Sequence, residues 1–192
     1  MDNLKTKSAR LQKSMTLENL FSIIFSDGSA VAARYLEGDA EKTITYGEYR
    51  DKSFAVADAL QKRLGAEQRG AFIGLQLDTC PEWMALYWGV IAGGFNALLL
   101  DSALDDRKTA HLLSQAGAKA LISGKMRALP GVSVFSAQEL AALPGVSSFQ
   151  PVFGTMTAVC TSGTTAQSRV FVYDEAALCS QTLSSETLYN EN

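Results

Sequence analysis

The chain has 192 residues, 47% of them hydrophobic and 19% charged, with a formal net charge of -3, a length that can bury the core of one domain or slightly more. So balanced a charge argues against nucleic-acid binding, and no apolar run of about 18 residues exists to span a membrane. The three scattered cysteines, without a Cys-x-x-Cys pair, and the single histidine fit neither a metal site nor a disulfide framework, which makes a cytoplasmic location the expectation.

Residues 1–15 are polar and basic with no apolar segment behind them, so they read as a flexible N-terminal arm rather than a secretory signal. Leu17, Leu20, Phe21, Ile24 and Phe25 recur at helical spacing up to the turn pair Asp27-Gly28. Two short strands follow, Ala30 to Tyr35 and Thr43 to Thr45, joined by a turn at Glu37-Gly38-Asp39. Thr45-Tyr46-Gly47-Glu48 has the pattern of a capping box and opens a helix that Gly65 is placed to end. Ala71 to Leu77 is mostly apolar rather than alternating, as a strand covered on both faces should be. Thr79-Cys80-Pro81-Glu82 offers a second capping box before an apolar helix running to Ile91.

Past Gly93-Gly94, the pattern predicts a strand over Phe95 to Leu100, a helix over Leu104 to Gln115 and a strand over Ala118 to Ser123. Asp101, at the end of the first of these strands, reads as a turn and cap residue, although ligands also gather at such ends. Ser136 caps a short helix, Pro144 to Pro151 is a loop, and Thr155 to Thr161 is a further strand. Val170 to Tyr173 is another strand, and Asp174 N-caps a last helix beginning at Glu175. Strands alternating with helices imply crossover connections, hence an α/β fold with a mostly parallel sheet flanked by helices.

One segment carries chemistry. Thr161-Ser162-Gly163-Thr164-Thr165 and Arg169 lie between two strands. Amides and hydroxyls there can wrap an anion while a guanidinium grips two of its oxygens. By composition alone the same stretch reads as an ordinary strand connection rich in Ser, Thr and Gly. It is not a Walker A loop, since no Gly-Lys-Ser/Thr occurs in it.

In sequence, Val159-Cys160-Thr161-Ser162-Gly163-Thr164-Thr165 resembles the phosphate-loop signature of the adenylate-forming superfamily. Thr45-Tyr46-Gly47-Glu48-Tyr49 is similar to that family's Thr-Tyr-x-Glu-Leu helix start, and Pro81-Glu82-Trp83 through Ala92-Gly93-Gly94 to its helix ending in Ala-Gly-Gly. His111-Leu112-Leu113 through Gly117-Ala118-Lys119 is similar to a later helix-to-strand segment. The resemblance implies an acetyl-CoA synthetase-like N-terminal subdomain, incomplete, with residues 16–192 as the N-terminal portion of an AMP-binding domain whose remainder is absent. It implies a parent enzyme that joins a carboxylic acid to ATP with Mg²⁺, with coenzyme A as a candidate co-substrate. Phosphate binding would fall to Thr161, Ser162, Gly163, Thr164, Thr165 and Arg169, with no catalytic residue and no metal ligand in this portion.

The chain departs from the family at Ala166-Gln167-Ser168-Arg169-Val170, where Gly-x-Pro-Lys-Gly is usual, and at Asp174-Glu175, where a Thr/Ser-His pair is usual. Two readings follow: a fragment of an AMP-forming ligase that is not active alone, or a catalytically inactive nucleotide-binding or scaffold module of the same fold. An unrelated α/β phosphate-binding module is a third. Apolar surface left uncovered in an incomplete domain would favour a homodimer.

Overall fold

A computed structural model describes residues 4–161 and 169–190. Two helices lead the chain, α1 (Leu4–Lys13) and α2 (Leu17–Ile24), followed by a hairpin of β1 (Val31–Glu37) and β2 (Ala40–Thr45). Then come α3 (Tyr46–Leu64), β3 (Phe72–Gln76), α4 (Trp83–Ala92), β4 (Asn96–Leu100), α5 (Asp106–Ala116) and β5 (Ala120–Ser123). The last third holds β6 (Ser133–Ser136), α6 (Ala137–Ala141), β7 (Thr157–Cys160), β8 (Val170–Tyr173) and α7 (Glu175–Asn190).

The main sheet has the order β6-β5-β3-β4-β7-β8. Its first five strands are parallel, and β8 returns antiparallel to β7. Side chains that alternate along the strands divide the core into two layers. Ile73, Leu75, Ala97, Ala120 and Ile122 face α2, α3 and α4, where Phe21 meets Trp88 edge-on at 5.4 Å. Leu98, Leu100, Leu121 and Ala158 face α5 through Leu112 and Leu113. Burial on both faces explains why β3 and β4 are apolar runs without polar alternation. The two layers also demand close approaches. A Cβ on Gly89 of α4 would lie 2.5 Å from Val56 Cγ1 of α3, so only glycine permits that helix crossing.

The capping box at Thr45 forms in full, the hydroxyl accepting from the Glu48 amide and the Glu48 carboxylate accepting from Thr45. The one expected at Thr79 does not. The Trp83 amide turns back onto the Cys80 carbonyl at 3.2 Å, and the amides of Glu82 and Trp83 approach the Cys80 sulfur. The helix therefore starts at Trp83, beyond the reach of Thr79, and its N-cap Glu82 makes no side-chain cap.

The stretch expected as a flexible arm carries α1. Its Leu11 is buried among the core residues of α2, and Asn19 donates to the Arg10 and Ser14 carbonyls. Leu11 is the only described side chain of α1 in the buried core, and two leucines seven residues apart on a polar helix give little periodicity to detect, which is why the helix is silent in the sequence. Strand β6 is equally silent, being four residues long at the edge of the sheet.

Candidate functional site

The segment singled out for chemistry connects β7 to β8. Ser162, Gly163, Thr164 and Thr165 lie outside the described residues, as do Ala166, Gln167 and Ser168. Thr161 and Arg169 form the stem. The Thr161 amide donates to the Arg169 carbonyl at 3.1 Å, and the Arg169 amide donates to Thr161 Oγ1 at 3.4 Å. The β7–β8 ladder thus continues one step past Cys160 and Val170. Both stem residues are exposed. The Thr161 hydroxyl accepts one hydrogen bond in the stem, and a hydroxyl can donate one and accept a second besides. Because β7 runs parallel to β4, the connection emerges at the carboxyl edge of the sheet.

The same edge holds a cavity of about 990 Å³. β3 connects towards β4 on one side, β5 connects towards β6 on the other, and the cavity lies outside the ends of these two adjacent strands. Such a reversal point is where open α/β sheets receive ligands. Lys52, Lys125 and Arg127 line it against Asp78, Glu82 and Asp106, so it carries both signs of charge.

Its floor is a polar hub. Gln76, buried at the end of β3, donates to the carbonyls of Asp101 and Leu104 and to Thr109 Oγ1, each at 3.1 Å. Its oxygen accepts from Arg127 Nη2. Arg127 Nη1 donates to Ser123 Oγ at 3.2 Å, and Asp106 Oδ1 lies 2.8 Å from Nε as a charge contact off the N–H line. Asp101 plays the turn role expected of it, its carboxylate accepting from the Ala103 amide. Gln76 and Arg127 were not among the residues the sequence marked. The available signal was a lone amide at the carboxyl end of an otherwise apolar strand.

All three thiols sit in surroundings that favour the protonated form. Burial, then the neighbouring Glu82 carboxylate, push the Cys80 thiol above its ordinary value. Burial alone raises Cys160, while burial and then Glu175 raise Cys179, which is fully buried. Raised thiols stay protonated at neutral pH and react slowly. His111 sits on the exposed face of α5 beside Gln115. Among the described residues no group of three or more His, Cys, Asp or Glu could hold a metal ion, and no helix is long and apolar enough to cross a membrane.

A family model for AMP-binding enzymes matches residues 26–190. No curated protein sequence matches the chain. In solved structures, the Klebsiella oxytoca NpsA N-terminal subdomain in complex with 3-hydroxybenzoyl-AMSN is similar, with a TM-score of 0.69 and 21% identity over 83% of this chain and 41% of that one. The same subdomain in space group P21 gives 0.67 and 20%, over 83% of this chain and 42% of the other. The nonribosomal peptide synthetase FmoA3 gives 0.68 and 19%, over 85% of this chain and 18% of its own. The chain therefore spans about two-fifths of the NpsA subdomain it matches. The likeness defines the class, an α/β unit with the fold found in the N-terminal subdomain of adenylation enzymes. By the family match the chain is a member of the AMP-binding enzymes, within the adenylate-forming superfamily.

Proposed function

We propose that the chain is the N-terminal portion of an AMP-forming carboxylate ligase and contributes its phosphate-binding loop. In the proposed reaction a carboxylate oxygen attacks the α-phosphorus of ATP, the bond to the β-phosphate oxygen breaks, and pyrophosphate leaves an acyl-adenylate. The loop's part is to hold the leaving β- and γ-phosphates in place and spread their charge, which needs no covalent enzyme intermediate. Amides and hydroxyls of Thr161, Ser162, Gly163, Thr164 and Thr165 would contact the phosphate oxygens, and Arg169 would add a bidentate cation. Mg²⁺, when bound with the nucleotide, would supply charge neutralisation at the phosphates, a role that does not demand an all-protein ligand set.

The observation that carries this reading is the Thr-Ser-Gly-Thr-Thr run itself, between two strands whose ladder is closed by Thr161 and Arg169 at the carboxyl edge of a parallel sheet. Acyl transfer to a thiol would follow. Coenzyme A is one candidate acceptor. A carrier-protein thiol is the other, as the similarity to the nonribosomal peptide synthetase FmoA3 suggests. The chain alone would not complete adenylation, since it spans 42% of a neighbour that is itself an N-terminal subdomain.

The test is pyrophosphate release by the full-length protein given ATP, Mg²⁺ and a broad panel of carboxylic acids. Acid-dependent release supports the ligase; its absence across the panel, with ATP still bound, supports instead the inactive module of the same fold. That second reading draws on Ala166, Ser168, Arg169 and Glu175, where the family's usual residues are missing.

A further inference from the structure

Glu175 makes a contact that its place in the sequence does not suggest. Its Oε2 accepts from the Leu17 amide at 2.6 Å, across 158 residues. Leu17 is the first residue of α2, so its amide has no partner within that helix. The N-cap Thr16 serves a different donor, the Asn19 amide. A carboxylate is well suited to this place, since it meets both the orphan amide and the positive end of the helix dipole.

The other end of the contact bears on the loop. Strand β8 forms the outer arm of the stem and is the last strand of the sheet, paired only with β7 among the described residues. It has little burial of its own, with Phe171 46% and Val172 51% exposed on opposite faces. What fixes its far end is α7, which follows directly. Asp174 caps that helix by accepting from the Ala177 amide at 2.8 Å, and the buried Cys179 and the half-buried Leu178 pack it on the core. Glu175 is the polar tie that joins this helix start to α2.

We infer that Glu175 is a positioning residue, clasping α7 to α2 and thereby holding the outer stem of the β7–β8 connection. The inference deepens the ligase reading and rests on it for its consequence in binding. Loosening the clasp frees the end of β8, so Arg169 loses its fixed relation to Thr161. Nucleotide phosphates, rather than the carboxylic acid, should register that loss.

The full-length protein with Glu175→Ala and Glu175→Gln tests this by amide hydrogen exchange and by steady-state kinetics of pyrophosphate release. In Glu175→Ala, exchange at Leu17 and at Val170 to Tyr173 should quicken roughly tenfold or more, as expected for loss of a charged hydrogen bond. The KM for ATP should rise roughly tenfold with the KM for the acid unchanged, since a misplaced contact is felt where it acts. Glu175→Gln, which keeps a neutral acceptor, should fall between. Unaltered exchange in β8, or both KM values rising together with glutamine no better than alanine, would overturn the proposal. If the wild type releases no pyrophosphate, the ligase reading fails, while exchange in β8 still decides the clasp.

Discussion

Glu48 shows how much one side chain can settle. Its carboxylate accepts from the Thr45 amide at 2.7 Å and from the Thr45 hydroxyl at 2.9 Å, and these bonds hold its pKa below the ordinary glutamate value. A lowered carboxylate stabilises the fold fully above its unfolded pKa and ceases to as pH falls through the folded one. Glu48→Gln should therefore cost stability at neutral pH, and the gap to wild type in urea unfolding should narrow as the pH drops below about 4. Thr45→Ala, which removes the reciprocal cap, should cost about 1 kcal/mol in the same measurement. At Gly89 the limit is steric. With Val56 Cγ1 only 2.5 Å from a would-be Cβ and the Ser53 carbonyl oxygen at 3.1 Å, Gly89→Ala should destabilise by about 1–3 kcal/mol, because α3 and α4 must separate to admit it.

At the scale of elements, α1 depends on one anchor. Leu11→Ala should cost about 2–4 kcal/mol, and limited proteolysis should then cut first within residues 4–13. The hub at the end of β3 depends on Gln76 in the same way. Gln76→Met keeps the length but strips a donor from the Asp101 and Leu104 carbonyls and from Thr109, and leaves Arg127 short of an acceptor. Urea unfolding should register a loss of about 1–3 kcal/mol, and exchange should quicken at the start of α5. The caps at Thr45, Ser136 and Asp174 were legible because each is a contact within three residues. The missing cap at Thr79 was not, since it turned on how Cys80 and Pro81 bend the chain rather than on which residues occur. The hub was illegible for another reason. Gln76, Asp101 and Arg127 come from the ends of three strands, and nothing local links them until the sheet has ordered those strands side by side.

Taken whole, the molecule brings its candidate site to one rim. Five parallel strands deliver the β7–β8 connection and the switch-point cavity to the same edge, with an apolar layer packed on each face of the sheet. The sheet class was readable because alternating apolar runs and helices leave few ways to be buried. The Thr161–Arg169 stem was not readable, because the outer strand that forms it is held through α7 and α2, elements at opposite ends of the sequence. That separation matters during synthesis. The Leu17 amide leaves the ribosome well before its carboxylate partner, and at translation rates of about 5–20 residues per second a gap of 158 residues amounts to roughly 8–30 s. Throughout that interval the first amide of α2 is without the carboxylate that meets it in the finished fold.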